Sequence, residues 1–419
     1  MTTTQDATID VDEFRSKARE WLEENAPKRG TPQGQAGRPN AEMGSEEEHR
    51  SIEEAKQFQA KLHDAGLAGI TYPKEYGGQG LTPRHQGAYN AEAAAFALPT
   101  FVFYIGQGMC LPTIFTHGTA EQKKRFMPPL IRGEEIWSQL FSEPGAGSDV
   151  AGLQMKAERA DDEWVLNGQK VWTTGAHYSE WGEVIVRTDP DLPKHQGLTM
   201  FLVDLRAEGV TVRPLRQITG DAHFNEVFFD DVRVPDTQRL DDVGSGWKVA
   251  LTTLMNERMA IGGAGGGTRR GMGENALVRL AREFGVWSER EHRDRVVDLY
   301  VQNRVFSLLR ERMAIAARKS IPGPEFSMLK LIGARLAASQ SELGTSLVGA
   351  SGIAWEGEGS SGELASLALL NSRSGKIAGG TDEVMLNILG ERVLGLPQDP
   401  RVDKEVPFRE LKVGTVKGG

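Results

Sequence analysis

SEPGAGSDVAG, residues 142–152, decides how this chain is read. Three glycines and two serines surround a proline, so the stretch is a loop and not the interior of a strand. Backbone amides in such a turn form a concavity that takes an anion, although a plain hairpin loop has the same composition. It is not the usual dinucleotide fingerprint. GAGSDV lacks the third glycine, and no strand-to-helix unit with a later acidic residue surrounds it. A dinucleotide held here needs a different fold.

The sequence around the loop is strand-like from Ile136 to about Val234. Asn167-Gly168 reads as a hairpin turn, because both residues tolerate positive φ. GLTMFLVDL, VTVRPL and NEVFFDDVRV are short branched or aromatic runs bounded by Gly, Pro and Asp. Short strands with no helices between them suggest an antiparallel barrel or sandwich of roughly 100 residues.

Helical patterns lie on both sides. In VDEFRSKAREWLEE, Val11, Phe14, Ala18, Trp21 and Leu22 recur at helical spacing. Ile52, Ala55, Phe58 and Leu62 share a second face, after an aperiodic Pro/Gly/charge-rich stretch at 26–50. From Gly246 helices resume and hold to the end, with the breaker IPGPEF at 321–326 and the glycine tract GGAGGG at 262–267. The expected fold is α+β and multidomain: a helical domain over 1–135, a β-domain over 136–245 and a helical bundle over 246–419.

The totals set limits. A net charge of −9 argues against wholesale binding to nucleic acid or anionic membrane. A single cysteine, Cys110, forms no internal disulfide and reads as a small core residue of a reducing compartment. The N-terminal MTTTQDATIDVDEF shows no basic region followed by an apolar run, and no stretch approaches the roughly 20 apolar residues that span a bilayer. A cytoplasmic location is expected.

SEPGAGSD, NGQKVWTTGA (167–176) and KIAGGTDEVMLNILGERVLGLP (376–397), in that order around a β-domain, resemble the acyl-CoA dehydrogenase family. YPKEYGGQGL and QKKRFMPPLIRGEEIWSQLFSEPGAGSD extend the resemblance over nearly the whole chain. It implies non-covalent FAD between the β-domain and the C-terminal helices. By that resemblance Gln139, Phe141 and Ser142 lie along the flavin, and Gly147 and Ser148 lie near a pyrophosphate of FAD or of CoA. Trp172 packs on the isoalloxazine, and the Thr174 hydroxyl sits near flavin N5. Thr381 and Glu383 match contacts to FAD phosphate or ribityl, and Arg282, Gly349 and Gly352 match contacts to a partner subunit's FAD. Arg282 stands one residue out of the usual register. The resemblance also implies a homotetramer or homodimer, and electron-transfer flavoprotein as acceptor.

Many relatives carry a catalytic Glu where this chain has Gly379. A subset, including isovaleryl and long-chain types, places it instead on a helix early in the C-terminal domain, before an Arg. Glu257 and Arg258 in LMNERMAIGG (254–263) match that place. Glu257 is therefore expected to be the base for α,β-dehydrogenation of an acyl-CoA to a trans-2-enoyl-CoA, with hydride passing to flavin N5. By the same resemblance the Gly379 N–H is expected to polarise the thioester carbonyl, and Arg258 and Ser148 to contact substrate. Burial beside flavin and acyl chain would raise a carboxyl pKa toward the working pH. A flavin monooxygenase or oxidase on the same fold, and a flavin-poor subunit of a mixed tetramer, are the alternatives. Glu257 argues against the first, and the intact motifs against the second.

Overall fold

The computed structural model describes residues 9–29, 31, 44–262, 274–317, 323–354, 359–398, 400–401 and 403–411. The described chain forms two compact units, one of residues up to 216 with 221–256 and 401 onward, the other of 217–220 and 257–400.

Among its described residues, the first unit opens with five helices: α1 (Val11–Asn25), α2 (Glu46–Asp64), α3 (Pro83–Ala93), α4 (Leu111–His117) and α5 (Ala120–Arg132). Asp10 caps α1 by accepting from the Asp12 N–H, and Phe14, Ala18 and Leu22 bury one i, i+4 face. α2 begins at the Ser45 cap, inside the stretch that the sequence pattern leaves as loop. Thr119 and Gln122 form a capping box on α5. The Gln122 amide also donates to the carbonyls of Thr237 and Arg239, each at 2.8 Å.

Eight described strands follow: β1 (Trp137–Leu140), β2 (Lys156–Ala160), β3 (Glu163–Thr174), β4 (Trp181–Arg187), β5 (Leu198–Asp204), β6 (Val210–Leu215), β7 (Phe224–Pro235) and β8 (Arg239–Leu240). They form one sheet in the order β6-β7-β3-β2-β4-β5-β8, with β1 also on β4. Period-two alternation splits β4 cleanly. Trp181 and Ile185 join the apolar cluster shared with the helices, while Val184 and Val186 pack with Val227, Phe229 and Val232 on the other face. Trp181 stacks on Trp137 at 5.6 Å, and Phe126 meets both edge-on.

Two expectations are corrected. The sheet is not wholly antiparallel, since β1 pairs with β4 in parallel. Asn167-Gly168 is not a hairpin turn. β3 runs straight through it, and the actual turn is at Asp161, φ 56, between β2 and β3. Gly168, φ 147, serves a register shift against β7, where a Cβ would sit 2.8 Å from Met155.

α6 (Gly246–Gly262) begins in the first unit. The second unit holds α7 (Glu274–Glu283), α8 (Arg290–Ala317), α9 (Ser327–Val348), α10 (Ala350–Ala354), α11 (Ser361–Gly375) and α12 (Asp382–Ile388). Leu277, Leu280, Val296, Leu343 and Leu347 share its core. No described helix is long and apolar enough to cross a membrane.

Candidate active site

In the first unit, β1, the loop after it and β3 form one frame. Val171 N–H donates to the Ser142 carbonyl at 2.9 Å, and Ser138 Oγ donates to the Thr174 carbonyl at 2.8 Å. Lys170 fixes the frame from inside. Fully buried, its Nζ donates to the Phe141 carbonyl at 3.0 Å and to Glu143 Oε1 at 2.9 Å. Glu143 also accepts from the N–H groups of Gln154 and Met155. Burial pushes the Lys170 pKa down, and Glu143 opposes that shift. Gln139, Phe141, Ser142 and Thr174 are thus brought together on adjoining backbone, with Phe141 buried and the other three half-buried.

Trp172 stands out on β3. The strand shifts register between Lys170 and Thr173, and Trp172 inside that bulge has φ 62. An ordinary inward-facing strand aromatic would be covered. This one is 55% exposed, with its ring edge-on to Phe224. Beside it, Thr173 Oγ1 is buried without a hydrogen-bond partner. A non-glycine residue in this conformation costs of order 1–3 kcal/mol, and such outliers cluster at functional sites.

The SEPGAGSD loop is held from its far side. Lys194 ion-pairs with Asp149 at 2.9 Å and with Asp403 at 2.6 Å. Arg187 donates to the carbonyls of Leu153, Lys194 and Ala151 and lies 3.4 Å from the Phe408 ring centroid. Gly147 has nothing within 4 Å of where a Cβ would be, and Ser148 is exposed. The loop therefore presents open backbone on a fixed base.

In the second unit, Gly379 and Gly380 turn the chain at φ 67 and 89. Gly is the residue for two successive left-handed conformations. Thr381 then caps α12 by accepting from the Val384 N–H at 3.1 Å, and Glu383 is exposed in the first turn. Asp382 ties this turn to α9, with Arg335 Nε at 3.3 Å and buried Lys330 Nζ at 3.6 Å. Lys330 also donates to the Lys376 carbonyl. Gly349 ends α9 at φ 54, and buried Gly352 gives its carbonyl to Ser366 Oγ. Arg282 on α7 faces the Trp287 ring at 5.7 Å. Lys330 and Gly349 lie 19 residues apart along α9, about 28 Å at the helical rise. So Thr381 and Glu383 are not brought to Gly349 and Gly352 within one chain. Glu257 is half-buried on α6, while the Arg258 side chain and residues 263–267 lie outside the described residues.

Sequence reasoning missed Lys170, Glu143 and Asp382 as the groups that hold these backbones. One signal was available for the first: a lysine in mid-strand, between Gln169 and Val171, facing an interior. The carboxylate it needs stands in the loop, 27 residues away.

Family models for the N-terminal, middle and C-terminal domains of acyl-CoA dehydrogenases match residues 10–134, 138–232 and 244–394. Acyl-CoA dehydrogenase IpdE1 of Mycobacterium tuberculosis is 36% identical over 392 residues, covering 94% of this chain and 99% of that protein. The chain belongs to the acyl-CoA dehydrogenase family. It is 43% identical over 341 residues to acyl-CoA dehydrogenase FadE34 of the same organism, with 81% of this chain matched, and spans about half of that protein's length, 46%. Among solved structures, the Tcur3481-Tcur3483 steroid ACAD superposes at TM-score 0.74 with 27% identity, over 93% of this chain and 98% of that one. The ChsE4-ChsE5 complex from Mycobacterium tuberculosis gives TM-score 0.71 at 27% identity, over 95% and 100%.

Acyl-CoA dehydrogenases are FAD-dependent oxidoreductases, and the residues of this one fit that cofactor. An exposed indole on a strained strand offers a flat apolar face, and half-buried Ser142 and Thr174 stand on the backbone next to it. No group of three or more His, Cys, Asp or Glu among the described residues is placed to hold a metal.

Proposed function

We propose that this acyl-CoA dehydrogenase desaturates an acyl-CoA thioester at its α and β carbons, with Glu257 as the base. One feature carries the assignment. The C-terminal turn has Gly379 at φ 67, with no carboxylate to offer, while α6 offers Glu257. The Gly379 N–H hydrogen-bonds the thioester carbonyl and acidifies the α-carbon, as an oxyanion hole does. Glu257 takes the α-proton as the C–H bond breaks, and the electron pair left behind forms the double bond. FAD, when bound, would supply the acceptor for the hydride that leaves the β-carbon. Gln139, Phe141, Ser142, Trp172 and Thr174 would hold its ring, and Gly147 and Ser148 would meet a pyrophosphate, of FAD or of CoA. Arg258 contacts substrate.

The acyl group is bulky and ring-bearing. A solved relative at 27% identity is named a steroid ACAD, and α6 is rich in small and flexible residues around its carboxylate. Acyl-CoAs of linear, branched and polycyclic type, assayed with an artificial electron acceptor, test this. Turnover is expected to favour the polycyclic thioester; a preference for short linear chains contradicts it.

The working form is an oligomer. Val297, Val301, Val305 and Leu308 form an exposed apolar line along α8. The two groups of FAD-contact candidates in the second unit are separated by the length of α9, which fits a cofactor completed by another subunit. A homotetramer or homodimer satisfies this. A mixed assembly is the second reading, because both of the solved relatives above are named as pairs of proteins. FAD content of the chain expressed alone separates the two: a full complement favours the homo-oligomer. Electron-transfer flavoprotein is the proposed acceptor, in a cytoplasmic enzyme.

A further inference from the structure

We infer that Glu183 is a positioning residue for this reaction: its carboxyl, sealed inside β4, anchors α6 through Thr253, one helical turn before Glu257. Glu183 is 0% exposed, on the strand face between Trp181 and Ile185, both of which belong to an apolar cluster, with Arg187 at the far end of the strand. Its Oε1 accepts from Thr253 Oγ1 at 2.6 Å. That hydroxyl lies 3.0 Å from Thr113 Oγ1 of α4, which donates in turn to the Met109 carbonyl at 2.8 Å. The Thr253 hydroxyl thus joins α6 to the sheet, and the Thr113 hydroxyl packed beside it joins α4 to the turn before it. Thr253 and Glu257 are four residues apart and share one face of α6.

Stability does not account for this carboxyl. Its Oε2 is buried with no hydrogen-bond partner, and leaving a buried polar atom unpaired is costly. A leucine would fill the same space without that penalty. The groups around it are the Cys110 thiol, Thr253, Thr113 behind it and its register partner Gln139 on β1, and none is charged. Burial raises its pKa to about 8, so near neutral pH it is an uncharged acid and sets no second negative charge beneath the helix that bears the base.

The inference rests on Glu257 being the base, and its test is separable from that. Thr253→Val keeps the shape of the side chain and removes the hydroxyl; Thr253→Ser keeps the hydroxyl. In the FAD-loaded enzyme, Thr253→Val is expected to lower kcat about tenfold with KM little changed, the scale of one lost hydrogen bond. Amide exchange over 249–257 should accelerate, and Thr253→Ser should restore both. Glu183→Leu should match Thr253→Val, with the double variant no worse than either, and Glu183→Gln should retain activity because its carbonyl still accepts. Wild-type turnover and exchange in Thr253→Val, or losses that multiply in the double variant, overturn the inference. Glu257→Gln tests the base separately; wild-type turnover there removes the base, while the exchange data still decide whether the anchor exists.

Discussion

Glu183 makes the pH response of this enzyme testable at a single residue. Folded, it holds its proton to about pH 8, whereas an ordinary carboxyl releases it near 4.5. Between those values the folded state carries the extra proton, so stability falls as pH rises through the window, by up to about 1.4 kcal/mol per unit. Below the window the group contributes no slope, and above it the full penalty is present. Glu183→Gln has no proton to lose. Its melting temperature relative to wild type should climb from about pH 5 to about pH 8 and then level off. A difference that stays flat across that range means the carboxyl is charged in the fold. No sequence pattern exposed this residue. A glutamate in WGEVIVR reads as the polar member of an alternating strand, and only the sheet shows both faces of β4 covered.

At the scale of elements, β3 carries most of the cofactor frame. Lys170→Met leaves Glu143 buried without its cation, and breaking such a pair costs about 3–5 kcal/mol. Denaturant midpoints should show a loss of that size, and FAD should dissociate more readily, because the Phe141 carbonyl loses its donor too. An unchanged midpoint contradicts the clamp. Helices in both units were legible. Phe14, Ala18 and Leu22 keep strict spacing, and the breaker at 321–326 separates α8 from α9. The Asn167-Gly168 turn was misread because its local signal is the same for a hairpin and for a bulge. Which one forms depends on Met155 and β7, and both partners are remote in sequence. The outward ring of Trp172 was legible only through family resemblance, since a bulge has no periodicity of its own.

For the whole molecule, the apolar line on α8 and the length of α9 are the two observations behind the proposed oligomer. Val301→Glu with Val305→Glu puts two charges on that line without touching the core. Sedimentation should show the assembly reduced to smaller species, with FAD lost at the same time. An intact oligomer places the interface elsewhere. The proposed base was the part of the site most dependent on reading distant segments together. Gly379 in IAGGT reads as a lost carboxylate until Glu257, 122 residues earlier, is placed on α6. The acyl group was not legible, because the residues that would line its path carry no chemistry beyond size.

Glu257→Gln is the most direct test, read by anaerobic flavin reduction on mixing with acyl-CoA. The substitution keeps shape and removes the proposed base, so FAD content and melting temperature should match wild type. The reduction rate should fall by roughly 10²–10⁴-fold. Glu257→Asp should lose less, and Gly379→Glu in the Glu257→Gln background is the position from which a carboxylate could restore turnover. Reduction of Glu257→Gln at the wild-type rate, with FAD fully bound, would show that another group takes the proton.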